Sequence, residues 1–343
     1  MSTIAVNAIT DASGGNTASI NGATPTTDNL MGRNRIINGD MRINQRGASV
    51  TTSSTYVTDR WQWDNNTTSA TLTFAQSSTA PTGFTNSLGI TVGTADTSIA
   101  AGDLVDFRQY IEGNNVADFG LGTASAVSFT VSFWVRSSVT GTYGASFRNS
   151  DSSRVYVSTF VINAANTWEY KTITVAGDTT GTWYTDNQRG LGMNICLAGG
   201  SNYQTTAGVW TATGNYRTTS AQANFLATTG ATFYITGVQL EAGSVATSFE
   251  RRSYGTELQL CQRYYQIGSI TCYKPTHGGS TALISTQYLC QTRATPTITV
   301  TATSATIGVG WNSDLVTTTA VDFANATSGE QRERITFSVS SEL

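Results

Sequence analysis

Apolar and polar positions alternate in short runs along most of the chain, with turn residues between the runs, the pattern of half-buried strands. Residues 127–135 read Val-Ser-Phe-Thr-Val-Ser-Phe-Trp-Val, and similar alternation recurs at 71–74, 171–175 and 233–240. Runs at 143–147 and 155–160 flank Asn149-Ser150-Asp151-Ser152-Ser153, which predicts a hairpin loop. About eight such strands, with no helical pattern among them, predict an all-β fold: an antiparallel β-sandwich of jelly-roll type.

The pattern changes at both ends of this region. The first 30 residues carry one short alternation, Ile4, Val6 and Ile9, followed by turn residues. So short a strand buries little alone, which suggests docking on a partner by strand addition. Tyr254, Leu258, Cys261 and Tyr265 fall at spacings of four, three and four, predicting a helix over 253–265. Leu260 and Tyr264 widen its apolar arc, so the stripe is a candidate contact between domains or between copies of the chain. Shorter strands return at 283–289, 297–303 and 335–339, and the Thr- and Asn-rich stretch 308–328 reads as loops. The expected division is an attachment segment at 1–34, a sandwich at 35–247, a connecting helix at 248–268 and a smaller β domain at 269–343.

Between the first segment and the sandwich the text is rich in Asn, Gly and Arg. Asn38-Gly39 predicts a tight turn, and Asp59-Arg60 beside Trp61 predicts a partly buried ion pair under an indole.

Composition narrows the possible functions. Charged residues make up 12% of the 343, about half the usual share, and the net charge is −3. Thr, Ser and Asn hydrate such a surface and offer neutral hydrogen-bonding groups. Lys171 and Lys274 are the only lysines, and no basic run could follow a phosphate backbone, which argues against nucleic acid as a partner. No apolar run has membrane length and no secretory leader heads the chain, so synthesis in a cytoplasm without membrane insertion is expected. Cys196, Cys261, Cys272 and Cys290 form no CxxC pair and read as free thiols. Cys272 with Cys290 is the pair to examine for a bridge. No cofactor or metal is expected. The oxygen ligands of Asn149, Ser150, Asp151 and Asp178 suit calcium, but a hairpin turn explains the first three equally well.

Catalysis has little material. The single histidine, His277, sits in a turn-forming sequence. Asp178, Asp186 and Glu241 are the carboxylates to consider for glycoside cleavage, but their spacing places no two of them across a sugar. A non-enzymatic role is expected. Sugar binding needs ring faces beside hydrogen-bonding groups. Trp183, Tyr184, Tyr203, Trp210 and Tyr216, interleaved with Asn187, Gln188 and Arg189, supply that mixture, and Trp311 is a further loop aromatic. Trp134 and Trp168, inside alternating segments, read as core.

Three stretches carry a resemblance. They are Ile36-Ile37-Asn38-Gly39-Asp40-Met41-Arg42-Ile43-Asn44-Gln45-Arg46-Gly47, Tyr56-Val57-Thr58-Asp59-Arg60-Trp61, and residues 237–252 reading GVQLEAGSVATSFERR. With Leu260-Cys261-Gln262-Arg263-Tyr264-Tyr265, and with the opening at Thr3 to Gly14, they resemble bacteriophage tail fibre and related virion proteins. The resemblance implies attachment to other tail proteins through the N-terminus, a homotrimer, location in the virion tail, and binding of a host-surface glycan or receptor by a variable tip. The strand at 233–241 is also similar to the last strand of carbohydrate-binding-module jelly rolls, which implies sugar binding, sometimes with a structural calcium. The alternatives are a decoration or tail-accessory protein that meets only virion partners, and a glycan-degrading tailspike.

Overall fold

Among the residues described, eleven strands between Gln62 and Ala242 form two antiparallel sheets. The computed structural model describes residues 32–343 apart from 48, 52, 68, 213, 275–281, 304–310 and 326–330. Ile4, Val6, Ile9 and His277 lie outside the described residues.

The first sheet contains, from edge to edge, β1 (Gln62–Asn65), β4 (Leu104–Glu112), β9 (Arg189–Gly199), β6 (Gly141–Arg148), β7 (Arg154–Ile162) and β10 (Trp210–Ala212). The second contains β2 (Thr71–Ser77), β3 (Ser87–Thr94), β11 (Thr232–Ala242), β5 (Phe129–Ser137) and β8 (Glu169–Val175). Their apolar faces meet in one core. Phe129, Val131, Phe133 and Val135 of β5 are wholly buried and supply one wall, as the alternation requires. Phe107 and Tyr143 come from the facing sheet and Phe233 from β11. Each such side chain contributes about 1.5–3 kcal/mol on burial. The all-β sandwich expected from the pattern is the fold that forms. The predicted hairpin loop also forms, tied by the Asn149 carbonyl oxygen accepting from the Arg154 amide at 3.0 Å and Asp151 from the Ser153 amide at 3.0 Å.

The alternation predicts no strand between 176 and 232, yet β9 lies between β4 and β6 in the centre of its sheet. Its glycines concealed it. Gly190 and Gly192 are there because a Cβ would press on Gly113 at 2.5 Å and on the Tyr110 ring at 3.0 Å. The loops expected at 308–328 contain β15 (Trp311–Val316) and β16 (Ala320–Asn325), where Val321 and Phe323 alternate inward. They join β13 (Ala282–Gln287) in one three-stranded sheet. The other is built from β12 (Tyr265–Lys274), β17 (Gln331–Ser340) and β14 (Thr297–Thr303).

The helix is shorter than expected. α1 spans Tyr254–Gln262, capped by the Ser253 hydroxyl, which accepts from the Thr256 amide at 3.2 Å. Tyr265 lies beyond it and begins β12, because Arg263 and Tyr264 turn the chain to pair with β17. The expected stripe is therefore divided. Tyr254 in the first turn is 57% exposed, whereas Cys261 is fully buried against Ile37, Ile43 and Tyr264, with Leu258 and Leu260 packed beside them. Cys261 is thus covered by its own chain. Cys196 and Cys261 are free and buried, and Cys290 is free and half-buried. Burial raises the first two thiols far above the usual range.

The stretches that carry the resemblance interlock at the junction of sandwich, helix and C-terminal unit. Ile36 faces the sandwich core and Ile37 the helix. The Asn38 side chain accepts from the Ile43 amide at 2.9 Å and donates to the carbonyls of Ile43 and Asp59. Asn38 itself takes the left-handed turn conformation, at φ 57°. Gly39 is needed for a different reason, since a Cβ there would sit 2.1 Å from the Val238 carbonyl oxygen. Asp59 and Arg60 do not pair with each other. Asp59 accepts from Gln45 and Arg46, and Arg60 reaches the Glu342 carboxylate and the Tyr110 carbonyl. The turn between Val57 and Trp61 directs the two side chains apart.

Arg263 closes the junction with two hydrogen bonds to Glu112, at 3.0 and 2.9 Å. Burial of Glu112 opposes its ionisation, but the hydrogen bonds from Arg263 and Tyr264 outweigh it and hold the carboxyl below its ordinary 4.5. A depressed folded value means the contribution is complete above the unfolded value and is lost as pH falls through the folded one. Asp59, raised by burial, has the opposite sign. The informative quantity is therefore the difference between wild type and Glu112→Gln. We expect about 1.5–3 kcal/mol at neutral pH, closing as pH falls below 4.5, measured as paired urea titrations.

Candidate functional site

The outer face of the five-stranded sheet carries an aromatic groove. Strand parity produces it. If Phe133 and Val135 point into the core, Trp134 must point out, on the side of Ser132 and Thr130. Across the ladder Trp134 faces Tyr170 of β8 on one side and Thr236 of β11 on the other. The Trp134 and Tyr170 rings lie 5.4 Å apart at 49°, and Tyr170 is 44% exposed.

A bulge in β11 opens the floor beside them. The register shifts between Thr236 and Gln239, and Gly237 there has φ 62°. That conformation favours glycine, and the space demands it as well. A Cβ on Gly237 would meet Phe84 at 2.7 Å and Trp134 at 3.3 Å. The groove measures about 590 Å³ and is bounded by Phe84, Trp134, Tyr170 and Phe249, with Ser132, Thr247 and Arg251 among its polar groups. Phe84 and Phe249 meet edge to face at 5.3 Å, and the Arg251 guanidinium covers Phe84 at 4.6 Å while donating to the Gly83 carbonyl at 2.6 Å. Two residues further along the strands, roughly 7 Å by strand geometry, a second aromatic pair continues the strip. Trp168 and Tyr234 lie 6.4 Å apart, with Arg136 over Tyr234.

The loop that closes one wall is held by the GVQLEAGSVATSFERR stretch. The Glu241 carboxylate accepts from Gln239 and from the amide and hydroxyl of Thr247. The Glu250 carboxylate accepts from the amides of Gly32 and Asn34, at 2.8 and 2.7 Å. Arg252 donates to the carbonyls of Asn34 and Ile36. These residues fix the loop and leave Phe249 and Arg251 at its surface.

The aromatics singled out in the sequence are dispersed. Trp183 and Trp210 pack edge to face at 5.5 Å against the sandwich core, and their indole N–H groups donate to the Thr180 and Ala176 carbonyls. Tyr184 is 38% exposed on the neighbouring loop. Tyr203 lines a groove on the opposite sheet, Tyr216 packs over Gly214, and Trp311 begins β15. No single surface collects them. Trp134 and Trp168, read as core, are half-buried on the outer face. The signal that could have placed Trp134 was the parity of its own strand.

The carboxylates considered for cleavage are all engaged in holding structure. Asp178 receives two hydrogen bonds from Arg154, at 2.6 and 2.8 Å, Asp186 binds Gln188, and Glu241 holds the loop. Among the described residues, no three His, Cys, Asp or Glu side chains form a metal-ligating group.

No family model and no curated protein matches the sequence. Among solved structures, the chain is similar to the enzymatically active domain of bacteriophage CBA120 tailspike protein 4, at 14% identity over 61% of this chain and 21% of that one, with a TM-score of 0.33. The chain thus spans about a fifth of that tailspike structure. It is also similar to a family 11 carbohydrate-binding module from Clostridium thermocellum, solved with a mixed-linked tetrasaccharide, at 10% identity over 58% and 98% of the two chains, with a TM-score of 0.30. A third is the module TmCBM61 in complex with β-1,4-galactotriose, at 11% identity over 62% and 99%, with a TM-score of 0.31. Identities and scores this low carry no function across to this chain.

Proposed function

We propose that this protein binds glycan non-covalently on the outer face of its five-stranded sheet, as a receptor-binding tail fibre protein of a phage virion. The observation that carries the glycan reading is the groove formed by Trp134, Tyr170, Phe84 and Phe249, with hydroxyls and Arg251 at its rim. A pyranose offers a C–H face to such rings and hydroxyls to the polar edge. The virion reading rests on the resemblance of residues 36–47, 56–61 and 237–252. Attachment through Ile4, Val6 and Ile9, assembly as a homotrimer and location in the tail belong to the same proposal. Three copies would sum weak sugar contacts by effective concentration.

A glycan array followed by titration of the best neutral oligosaccharide tests the reading. Trp134→Ala and Tyr170→Ala should each weaken binding about tenfold or more, with the circular dichroism of the sandwich unchanged. Trp183→Ala should leave affinity near wild type. An array with no neutral ligand, or unchanged affinity in Trp134→Ala, defeats the proposal.

A further inference from the structure

The outer face of the six-stranded sheet has a different chemistry. Its groove measures about 490 Å³ and is lined by Arg108, Arg148 and Arg217, with Tyr110, Tyr203 and Asn215. Arg189 adds a fourth guanidinium, 4.1 Å over the Tyr110 ring. Two carboxylates, Asp64 and Asp106, share the face, and both are engaged. Asp64 accepts from Arg108 at 3.2 Å, and Asp106 accepts from Arg217 at 2.7 Å and Asn194 at 3.0 Å. Four cations against two anions leave an excess of positive charge, in a chain with only 19 basic residues.

Glycines bring these groups together. Tyr110 and Arg148 meet across Gly192, where a Cβ would touch both, at 3.0 and 3.3 Å. Gly144 lets the backbone of Arg217 and the side chain of Thr218 lie on the sheet, within 2.5–2.6 Å of where its Cβ would stand.

Arg148 is the residue without a counter-charge. It is 8% exposed and donates to Ser152, Asn215 and the Tyr110 hydroxyl, and no carboxylate among the described residues lies within salt-bridge distance. Its Nε has no hydrogen-bond partner. Burial and the repulsion of Arg217 lower the Arg148 guanidinium to about 10. A buried guanidinium serving the fold alone is paired with a carboxylate, as Arg217 is with Asp106. This one is short of an anion. Guanidinium groups bind planar carboxylates through paired hydrogen bonds, and half-buried Tyr203 offers a ring face beside them.

We propose that this groove binds an acidic sugar, its carboxylate held by Arg148 with Arg108 and its ring placed against Tyr203. The site lies on the opposite sheet from the neutral-sugar groove, so each can fail without the other.

The test is calorimetric titration of the full chain with glucuronic acid, glucose and sodium sulfate, in wild type, Arg148→Lys, Tyr203→Ala and Trp134→Ala. Arg148→Lys keeps the charge but loses the fork, and its circular dichroism is compared with wild type before titration. Glucuronic acid should bind wild type and Trp134→Ala alike, and bind Arg148→Lys about tenfold to a hundredfold more weakly. Tyr203→Ala, at a half-buried position, should weaken glucuronic acid without changing the melting temperature. Glucose should not compete. Three outcomes overturn the proposal: no binding of glucuronic acid, equal binding of sulfate and glucuronic acid, or loss of glucuronic acid binding in Trp134→Ala with retention in Arg148→Lys.

Discussion

Exchanging Glu342 for alanine is expected to cost about 3–5 kcal/mol and to release the C-terminal strands ahead of the sandwich. Glu342 is the carboxylate facing Arg60, whose side chain is 1% exposed. The guanidinium lies 3.5 Å over the Tyr264 ring and donates to the Tyr110 carbonyl. Remove Glu342 and a buried cation remains with a ring and a carbonyl but no counter-charge. Arg46 also loses a partner, held at 2.9 Å, although it keeps Asp59. The C-terminal unit is sensitive because its own described core is small: Val321, Phe323, Ile335, Phe337 and Val339, with a few half-buried neighbours. So small a core supplies little stability alone. The unit depends on being held, and its last residues do the holding. Tyr56 donates to the Leu343 carbonyl at 3.2 Å, and Arg293 to that of Ser341 at 2.6 Å. Hydrogen exchange at β12 and β17 reads the unit, and tryptophan fluorescence reads mainly the sandwich. The two should report one urea transition in wild type and two in Glu342→Ala. Arg60→Met with Glu342→Leu should recover most of the loss, since it removes both charges together. A single transition at the wild-type midpoint in Glu342→Ala would remove the junction from this role.

What could be read in the sequence was local. Alternation at 127–135 fixed the fold class, because a nine-residue period of two admits few other structures. Asn149 to Ser153 marked a hairpin, and the stripe of Tyr254, Leu258 and Cys261 marked a helix. The errors occurred where distant chain decides. The end of α1 is set by the pairing of Tyr265 with Ser340, and the partner of Arg60 lies 282 residues away. No neighbouring residue announces either. β9 was hidden for the same reason, because Gly190 and Gly192 answer to β4 and to the turn that follows β4 rather than to their own strand.

The aromatic outer face is a separate case, because the information was present. Residues 129, 131, 133 and 135 are apolar, so Trp134 falls on the other side of the strand. A tryptophan among hydroxyl residues on an outward face cannot be filling a core. The general preference for buried tryptophan outweighed the specific parity, and the aromatics chosen instead came from loops. The stretches that resemble phage fibre proteins raise a related point. Asn38, Glu241, Glu250 and Arg252 are occupied with hydrogen bonds that secure turns and lock segments together. Their pattern describes how this sandwich is fastened, and the ring faces that could meet a ligand lie mostly outside it.

Phe233→Ala is expected to cost about 3–5 kcal/mol and to leave glycan affinity in the surviving folded protein unchanged. Phe233 stands on β11 with its side chain wholly buried. Its ring lies 6.1 Å from Phe107 and 5.6 Å from Tyr143, both on the opposite sheet, and 6.0 Å from Phe225 in the turn that closes that end. One side chain therefore joins both sheets to the closing turn. These neighbours come from separate strands, each held by its own ladder, so they collapse poorly into the vacated space and much of the cavity remains. Phe233→Leu keeps most of the volume and should cost about 1.5 kcal/mol or less. The comparison with Trp134→Ala tests the two faces of one sheet. Trp134 stands on the neighbouring strand, its ring half-buried over the groove. Its loss should weaken binding about tenfold or more at small cost in stability, whereas loss of Phe233 should reverse that order. Urea midpoints and oligosaccharide titrations of both variants decide the matter. If Trp134→Ala is as destabilising as Phe233→Ala, the outer rings serve the fold and the groove loses its standing as a binding site.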